Sequence, residues 1–241
     1  SPTDEIGKYP SAYRRRRLSF YLGEYGGRLS SISHNGDSIS YTYDPDGIRT
    51  SKTVNGTTTK FHIMNGTLLG QTRGSDKIIF LYDEKANRYG FDYNGTKYYY
   101  IFNVQGDVIG ILNQAGQKIV SYTYDPWGKV PSVDGSEAST IGQINPIRYR
   151  GYYYDTETGF YYLQSRYYDP ITRRFLNADD RINGTTGLIG FNIFSYCNNN
   201  PIINSDPSGH SIIAAILIAC LVVTLAIIPS SQRPARYILF Q

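Results

Sequence analysis

The chain has 241 residues, with 24 Lys and Arg against 20 Asp and Glu, and a formal charge of +4 at pH 7. Hydrophobic residues make up 40%, and aromatic residues reach 15% because Tyr alone contributes 24. This content excludes an intrinsically disordered chain, which needs low hydrophobicity and high net charge. Scarce helix formers exclude a mainly helical protein. We therefore expect an all-β protein, and the weak positive charge indicates no nucleic-acid partner.

Residues 1–20 show neither an initiator Met nor a signal-peptide pattern, and they contain the basic run Arg14–Arg17. Such a run is typical of a solvated segment, with a polyanion-binding patch as the alternative. We expect a linker or end segment of a longer protein. Cys197 and Cys220 form neither a disulfide framework nor a metal-ligand pattern, and the three His residues lie far apart. No cofactor or metal is therefore expected.

A short motif repeats along the chain. Tyr41–Gly47 and Tyr122–Gly128 both read Tyr-Thr-Tyr-Asp-Pro-x-Gly, and a shortened copy lies at Leu81–Glu84. Asn-Gly-Thr follows the copy at Tyr41–Gly47, at residues 55–57, and the shortened copy, at residues 94–96. The Tyr-Asp pair and the Asn-Gly-Thr each recur after 39 residues. Such self-similarity indicates units that bury a face against their neighbours. In each unit Asp can cap a turn, Gly can take a positive φ, and a Tyr hydroxyl can reach a neighbouring strand.

Between these motifs the sequence predicts short strands joined in antiparallel hairpins. Aromatic or β-branched runs at Lys97–Val104, Val108–Asn113 and Lys118–Tyr124 are separated by short Gly-containing gaps. Asn-Gly pairs fit two-residue hairpin turns because both residues tolerate a positive φ. These pairs stand at residues 35–36, 55–56, 65–66, 94–95 and 183–184. Four of the five are followed by Thr, so glycosylation acceptors are the alternative to turns.

Arginine and tyrosine interleave between Asn145 and Asp180, and eight tyrosines fall between residues 149 and 168. Basic and aromatic side chains together can stack single-stranded nucleic acid or sugars. The alternative is internal packing of arginine on tyrosine along a sheet. We favour the packing, because acidic residues in the same stretch would repel a phosphate backbone.

Residues 211–228 contain no charged side chain. As a helix they would span about 27 Å, close to the hydrocarbon core of a thin bilayer. Pro229 would end such a helix, and the two arginines of the tail favour a cytoplasmic C-terminus. We predict an apolar, transmembrane-like helix that contacts a membrane through Ile212–Ile228. Burial of the same helix inside the protein is the alternative.

Taken together, these motifs resemble a known family. The Tyr-x-Tyr-Asp-x-x-Gly repeats are followed by Gly151–Pro170, which reads Gly-Tyr-Tyr-Tyr-Asp-x-Glu-Thr-Gly-x-Tyr-Tyr-Leu-Gln-Ser-Arg-Tyr-Tyr-Asp-Pro. Arg-Phe-Leu-Asn-Ala-Asp, Asn-Asn-Asn-Pro and Asp-Pro-Ser-Gly follow in that order. The chain closely resembles Rhs (YD-repeat) proteins, including their repeat-associated core domain, and Gram-positive versions most of all.

The resemblance implies a fold and a domain organisation. Antiparallel YD-repeat hairpins would form part of a rolled β-shell with a C-terminal core, or plug, followed by one apolar helix. The predicted segments are 1–20 for the end segment, 21–144 for the YD-repeat shell, 145–209 for the core domain, 210–229 for the apolar helix and 230–241 for the basic tail. A chain of 241 residues can supply the last turns of a shell but not a whole cage.

The resemblance also implies a function. Members are large secreted or cell-surface proteins of the polymorphic-toxin type, which hold a variable C-terminal effector inside the shell for competition between bacteria. The expected partners are the chain's own cargo, the remainder of the shell and, through the apolar segment, a membrane. The alternative is a surface-anchored YD-repeat protein that serves adhesion or binds surface glycans through its tyrosine-rich strands.

Several members cut themselves just after the core domain, by chemistry that resembles aspartyl proteolysis. One carboxyl stays protonated as the acid while a second activates water. By motif, Asp179 and Asp206 are the candidate carboxyl groups, and Arg174 is the candidate to orient them. The cut would fall near Gly209, where this chain has His210 in place of the Leu of cleaved versions. The alternative is that both aspartates cap turns.

Overall fold

The structure, a computed structural model, describes residues 18–22, 28–178, 194–209 and 213–214. Nearly all regular structure in these ranges is antiparallel strand, which confirms the all-β prediction. The first twelve strands form one sheet in which each strand pairs with the next along the chain. They are β1 Leu18–Leu22, β2 Leu29–His34, β3 Asp37–Tyr43, β4 Arg49–Val54, β5 Thr57–Met64, β6 Thr67–Arg73, β7 Asp76–Tyr82, β8 Arg88–Tyr93, β9 Thr96–Phe102, β10 Val108–Leu112, β11 Lys118–Tyr122 and β12 Val133–Asp134.

Four of the Asn-Gly pairs form tight hairpin turns, as predicted. Asn35, Asn55, Asn65 and Asn94 have φ between 48 and 51°, and the glycines that follow have φ between 75 and 96°. A two-residue turn that matches the right-handed twist of its strands needs this left-handed backbone at both central positions. The fifth pair, at residues 183–184, lies outside the described residues.

The Asp and the Tyr of each repeat have separate structural roles. Asp44, Asp83 and Asp125 each accept a hydrogen bond from the backbone N–H four residues further on, at 2.8–2.9 Å. These bonds close the turn. The tyrosine before each aspartate donates its hydroxyl to a carbonyl of the preceding strand, at 2.6–2.7 Å: Tyr43 to Leu29, Tyr82 to Leu68 and Tyr124 to Val108. The repeat thus specifies one capped turn and one tie between neighbouring strands.

A second antiparallel sheet follows a short helix, α1 Ile141–Ile144. Its four strands are β13 Tyr153–Asp155, β14 Phe160–Leu163, β15 Arg166–Asp169 and β16 Arg174–Phe175. Two further strands, β17 Asn204–Ser205 and β18 Ile213–Ala214, pair antiparallel with each other. All connections that the structure describes between neighbouring strands of the second sheet are short, which suits hairpins.

The second sheet packs against one face of the first. Buried and exposed residues alternate along β3, so one of its faces is turned toward the protein interior. One cluster joins Leu29, Ile32, Ile39 and Tyr41 to Phe160, Tyr167 and Leu176. Another joins Phe80, Phe91 and Tyr100 to Ile147 and Tyr153. Each fully buried apolar side chain contributes about 1.5–3 kcal/mol, so this contact stabilises both sheets. The predicted domain boundary at 144–145, which both clusters cross, stays a prediction.

The predicted apolar helix at 210–229 is described at Ile213 and Ala214 alone, and there the prediction of helix is wrong. These residues form β18, because a β-branched residue favours a strand where β17 offers backbone partners. The rest of that segment, together with 1–17 and 230–241, lies outside the described residues. Where the structure describes the chain, no helix is long and apolar enough to cross a membrane.

Candidate functional site

The first buried ion cluster joins the two sheets. Nη1 of Arg49 on β4 lies 2.6 Å from Oδ2 of Asp155 on β13, and Nζ of Lys52 lies 2.8 Å from Oδ1 of the same carboxylate. Lys52 also pairs with Glu157. The side chains of Arg49 and Asp155 are 1% and 0% exposed. We call these four residues the Arg49 cluster. Its two positive and two negative charges balance.

Aromatic rings enclose the guanidinium of Arg49. Its Cζ lies 4.3–5.6 Å from the centroids of five rings, those of Tyr41, Phe61, Tyr153, Tyr162 and Tyr167. Nη1 of Arg49 also donates to the Tyr167 hydroxyl at 3.2 Å, and the Arg49 backbone N–H donates to the Tyr162 hydroxyl at 2.9 Å. The electron-rich faces of rings attract a cation, most strongly away from water. The rings therefore favour a charge that burial alone disfavours.

The groups of the Arg49 cluster are held in their charged forms. Burial by itself would raise the pKa of Asp155, but Arg49 and then Lys52 reverse this and hold it below the ordinary 3.8. Burial by itself would lower the pKa of Lys52, but Asp155 raises it above the ordinary 10.5. Both oxygens of Asp155 are already engaged, so the cluster acts as a structural link between the sheets.

The second cluster surrounds the position of the predicted cut. Nη2 of Arg166 on β15 lies 3.2 Å from Oδ2 of Asp206, and Nε of Arg166 donates to the carbonyl of Gly209. Oγ of Ser165 donates to the carbonyl of Ser208 at 2.8 Å. We call Ser165, Arg166, Asp206 and Gly209 the Gly209 clamp.

The Gly209 clamp fits a residue without a side chain. Gly209 has a φ of +75°, and a Cβ there would lie 2.5 Å from Oγ of Ser165 and 2.7 Å from the carbonyl oxygen of Leu163. Asp206 is 1% exposed, and its backbone N–H donates to the Tyr152 hydroxyl at 2.9 Å. Asp206 and Gly209 are therefore buried and are held through both backbone and side chains, whereas Pro207 between them is exposed.

Of the three predicted site residues, the structure places Asp206 beside the predicted cut. Asp206 lies in the Gly209 clamp. Arg174 on β16 has an exposed side chain and forms no ion pair with Asp206 in the part of the chain described. Asp179 lies outside the described residues. The aspartyl pair and the role of Arg174 beside Asp179 therefore stay predictions.

Ser165 and Arg166 are the clamp residues that sequence reasoning did not select. Both lie within the Gln-Ser-Arg-Tyr-Tyr-Asp part of the motif, so their position in that motif was the available signal. Arg166 and Asp206 are 40 positions apart in the sequence. They meet because of the hairpin of β14 and β15 and the return of the chain at β17. Nothing in local spacing indicates such a pair.

Arg148 and Arg166 of the tyrosine-rich stretch also pack on rings. Cζ of Arg148 lies 4.3 Å from the ring centroid of Tyr154, and Cζ of Arg166 lies 3.5 Å from that of Phe175. Burial raises the pKa of the Tyr149 hydroxyl to about 12, as expected for an interior ring. These contacts agree with the packing interpretation. Among the residues that the structure describes, no three His, Cys, Asp or Glu side chains are grouped so that they could hold a metal ion.

Relatives of this chain include a nuclease and a toxin. The chain is 36% identical over 197 residues to the tRNA3(Ser)-specific nuclease WapA of Bacillus spizizenii, a match that covers 79% of this chain and 8% of that protein. It is 35% identical over 115 residues to the double-stranded DNA deaminase toxin A of Burkholderia cenocepacia, covering 45% of this chain and 8% of that protein. The chain thus spans less than a tenth of the length of these relatives.

Solved structures show the same fold. TcdB2-TccC3 without its hypervariable C-terminal region superposes with a TM-score of 0.62 at 24% identity, covering 80% of this chain and 10% of that chain. The Photorhabdus luminescens Tc holotoxin pore gives a TM-score of 0.59 at 22% identity, with the same coverage. At such identity the likeness concerns the fold alone.

A family match completes the comparison. Residues 27–202 match the Teneurin YD-shell family, a range that contains every strand from β2 to β16. The chain therefore belongs to the teneurin YD-shell family, and the Rhs (YD-repeat) identity indicated by its motifs is confirmed.

Proposed function

We propose that this chain is the C-terminal shell segment of a secreted Rhs polymorphic toxin, which encapsulates and presents a variable effector for competition between bacteria. The proposal rests on one observation: this chain is similar to a segment of two relatives that are named for different activities, a tRNA nuclease and a DNA deaminase. A segment common to both is the source of neither activity, because function lies in particular sites rather than in a shared fold. These relatives do not favour the adhesion or glycan-binding alternative.

The Gly209 clamp supports a second function, hydrolysis of the peptide bond between Gly209 and His210. Arg166 polarises the Gly209 carbonyl, which stabilises the negative charge that develops there. Asp206, beside that guanidinium, takes a proton from the attacking water. Asp179, assigned by motif, is the second carboxyl and protonates the leaving amine of His210. Water thus gives its hydroxyl to the Gly209 carbonyl carbon, and the products are a carboxylate and an amine.

The intact mass of the purified full chain tests this hydrolysis. A cut between Gly209 and His210 is expected in the wild type and should be absent in Asp206→Asn and Asp179→Asn. Arg166→Gln and Arg73→Gln form a matched pair of charge-removing changes. Because Arg166 contacts the Gly209 carbonyl and Arg73 lies at the exposed end of β6, Arg166→Gln should stay whole while Arg73→Gln is still cut. Loss of the cut in Arg174→Gln would support the orienting role that the motif predicts for Arg174. A whole wild-type chain would contradict the hydrolysis and leave the aspartates as turn residues.

Retention of the C-terminal segment tests the carrier function separately. After the cut, residues 1–209 and 210–241 should elute together under native conditions, because β17 and β18 lie on opposite sides of the cut and pair with each other. Urea should separate them. If the wild type stays whole, a site-specific protease sequence inserted after His210 supplies a cut that leaves β17 and β18 on opposite sides. Immediate loss of the tail in native buffer would contradict a segment that holds its own cargo.

A further inference from the structure

A cavity of about 220 Å³ lies between the two sheets. Its walls include the side chains of Arg49, Leu68, Tyr82, Arg88, Tyr153 and Tyr162. No aspartate or glutamate is among the described residues that line it. Asp155 balances the charge of Arg49, so Arg88 is the arginine that gives this wall without a carboxylate a positive electrostatic potential.

Arg88 occupies the position in its repeat that Arg49 occupies in the preceding one. The two arginines are 39 residues apart, which is the offset of the repeat. Arg49 pairs across its hairpin with Tyr43, and Arg88 pairs with Tyr82, each just past a shift in register. Each guanidinium also lies over the ring two positions before that tyrosine, at 5.5 and 4.9 Å from the centroid. The two sites are built alike.

The two arginines differ in their acidic partners. Arg49 has the carboxylate of Asp155 at 2.6 Å. Arg88 donates from Nε to the Tyr82 hydroxyl at 3.0 Å and from Nη1 to the Gly151 carbonyl at 3.4 Å, both neutral acceptors. Within residues 28–178 and 194–209 no acidic side chain forms an ion pair with Arg88. The second site therefore lacks the carboxylate that completes the first.

Arg49, which lines the same cavity, has an unused hydrogen-bond donor. Nε of Arg49 is buried and has no hydrogen-bond partner in the described part of the protein. A buried donor without an acceptor is unfavourable, and a carboxylate oxygen would satisfy it. Two arginines of one cavity thus have unused capacity to bind an anion.

We propose that this cavity binds a carboxylate carried on a small aromatic body, and that Arg88 holds the carboxylate. A planar guanidinium matches a carboxylate through two parallel hydrogen bonds. The rings of Tyr82, Tyr153 and Tyr162 offer faces and edges to an aromatic group. A cavity of about 150 Å³ already accommodates benzene, so this one has room for a ring and its acid group. Pro207 also lines the cavity, but binding there requires no cleavage at Gly209.

Calorimetric titration of the full chain with benzoate and with benzamide tests the proposal, because the two probes share a shape and differ in charge. Benzoate should bind at least about tenfold more tightly than benzamide, because benzamide cannot form the charge-assisted pair with Arg88. Arg88→Gln should remove this preference, and Arg88→Lys should keep part of it. Arg73→Gln, at the exposed end of β6, should leave it unchanged. The urea midpoint of each variant shows that the fold is retained.

Three outcomes would overturn the proposal: no binding of benzoate, equal binding of both probes, or a preference that survives Arg88→Gln. The carboxylate has two sources, a free aromatic acid or an acidic side chain of the effector beside an aromatic one. A short peptide with Glu between two Phe residues, compared with its Gln counterpart, distinguishes them. Displacement of benzoate by the Glu peptide alone assigns the site to the effector, and failure to displace assigns it to a free acid.

Discussion

Replacing Asp155 by Asn should destabilise the protein strongly. The substitution keeps the size of the side chain but removes the charge that Arg49 and Lys52 share at 2.6 and 2.8 Å. Glu157 would then be the one remaining acid for two buried cations in the Arg49 cluster. Breaking a buried ion pair by removing one partner costs about 3–5 kcal/mol, because a buried charge is left without compensation. We expect a loss of that size in the free energy of unfolding.

Equilibrium urea unfolding, followed by circular dichroism, measures the loss. With a slope of about 2 kcal/mol per M, the midpoint of Asp155→Asn should fall by about 1.5–2.5 M. Glu84→Gln is the matched control, because it removes one negative charge from an exposed turn. Its midpoint should stay within about 0.3 M of the wild type. Equal midpoints for the two variants would refute the reasoning that the cluster links the sheets.

The pH dependence of the difference in stability between wild type and Asp155→Asn gives an independent check. The pKa of Asp155 in the folded protein lies below its ordinary 3.8, because Arg49 and Lys52 outweigh the effect of burial. The unfolded chain therefore binds the proton more readily, and the stabilisation is fully present above about pH 4. It is lost as the pH falls through the folded value. The difference in the free energy of unfolding between wild type and Asp155→Asn should accordingly be constant near neutrality and become smaller below pH 3.8.

Three further changes test the repeat, each by its urea midpoint. Tyr82→Phe removes the tie from β7 to a β6 carbonyl and should cost about 1 kcal/mol, whereas Tyr89→Phe, whose ring is partly exposed, should cost little. Gly90→Ala places a methyl 2.2 Å from a backbone carbonyl of β9 and should cost about 1–3 kcal/mol. Asn55→Ala should cost about 0.5 kcal/mol more than Asn65→Ala, because both lose a turn asparagine but only Asn55 donates to Asp37 and accepts from Ser38.

Local chemistry made the first sheet predictable. Each described Asn-Gly pair has a positive φ, and each aspartate of the repeat caps its own turn, so a few residues determine the hairpins in which they stand. The offset of 39 residues also has a physical basis. Asn55 binds the N–H of Ser38 at 2.9 Å, and Asn94 binds that of Lys77 at 2.8 Å, so the same contact recurs one repeat later. Where structure depends on neighbours in sequence, the prediction is confirmed.

The candidate sites were less predictable because their partners are distant in the chain. Arg49 meets Asp155 across 106 positions, and Arg166 meets Asp206 across 40. No periodicity relates these pairs, since packing of the second sheet on the first creates the Arg49 pair and the return of the chain at β17 creates the Arg166 pair. The helix predicted near Ile213 failed at the positions described for a related reason. An apolar run indicates burial, but a neighbouring strand decides its conformation.

The three arginine sites suggest why the fold combines so many rings with so few charges. Arg49, Arg88 and Arg166 each place a guanidinium against an aromatic face, at 4.3–5.6, 4.9–5.4 and 3.5 Å. A ring favours the cation without neutralising it, so the remaining partner of each arginine decides its role. Where that partner is an internal carboxylate with both oxygens engaged, the arginine links two sheets. Where it includes the carbonyl of Gly209, the arginine holds that carbonyl, and we propose that it polarises the peptide bond. Where no acidic partner is described, as at Arg88, the same construction gives a binding site for an acid from outside.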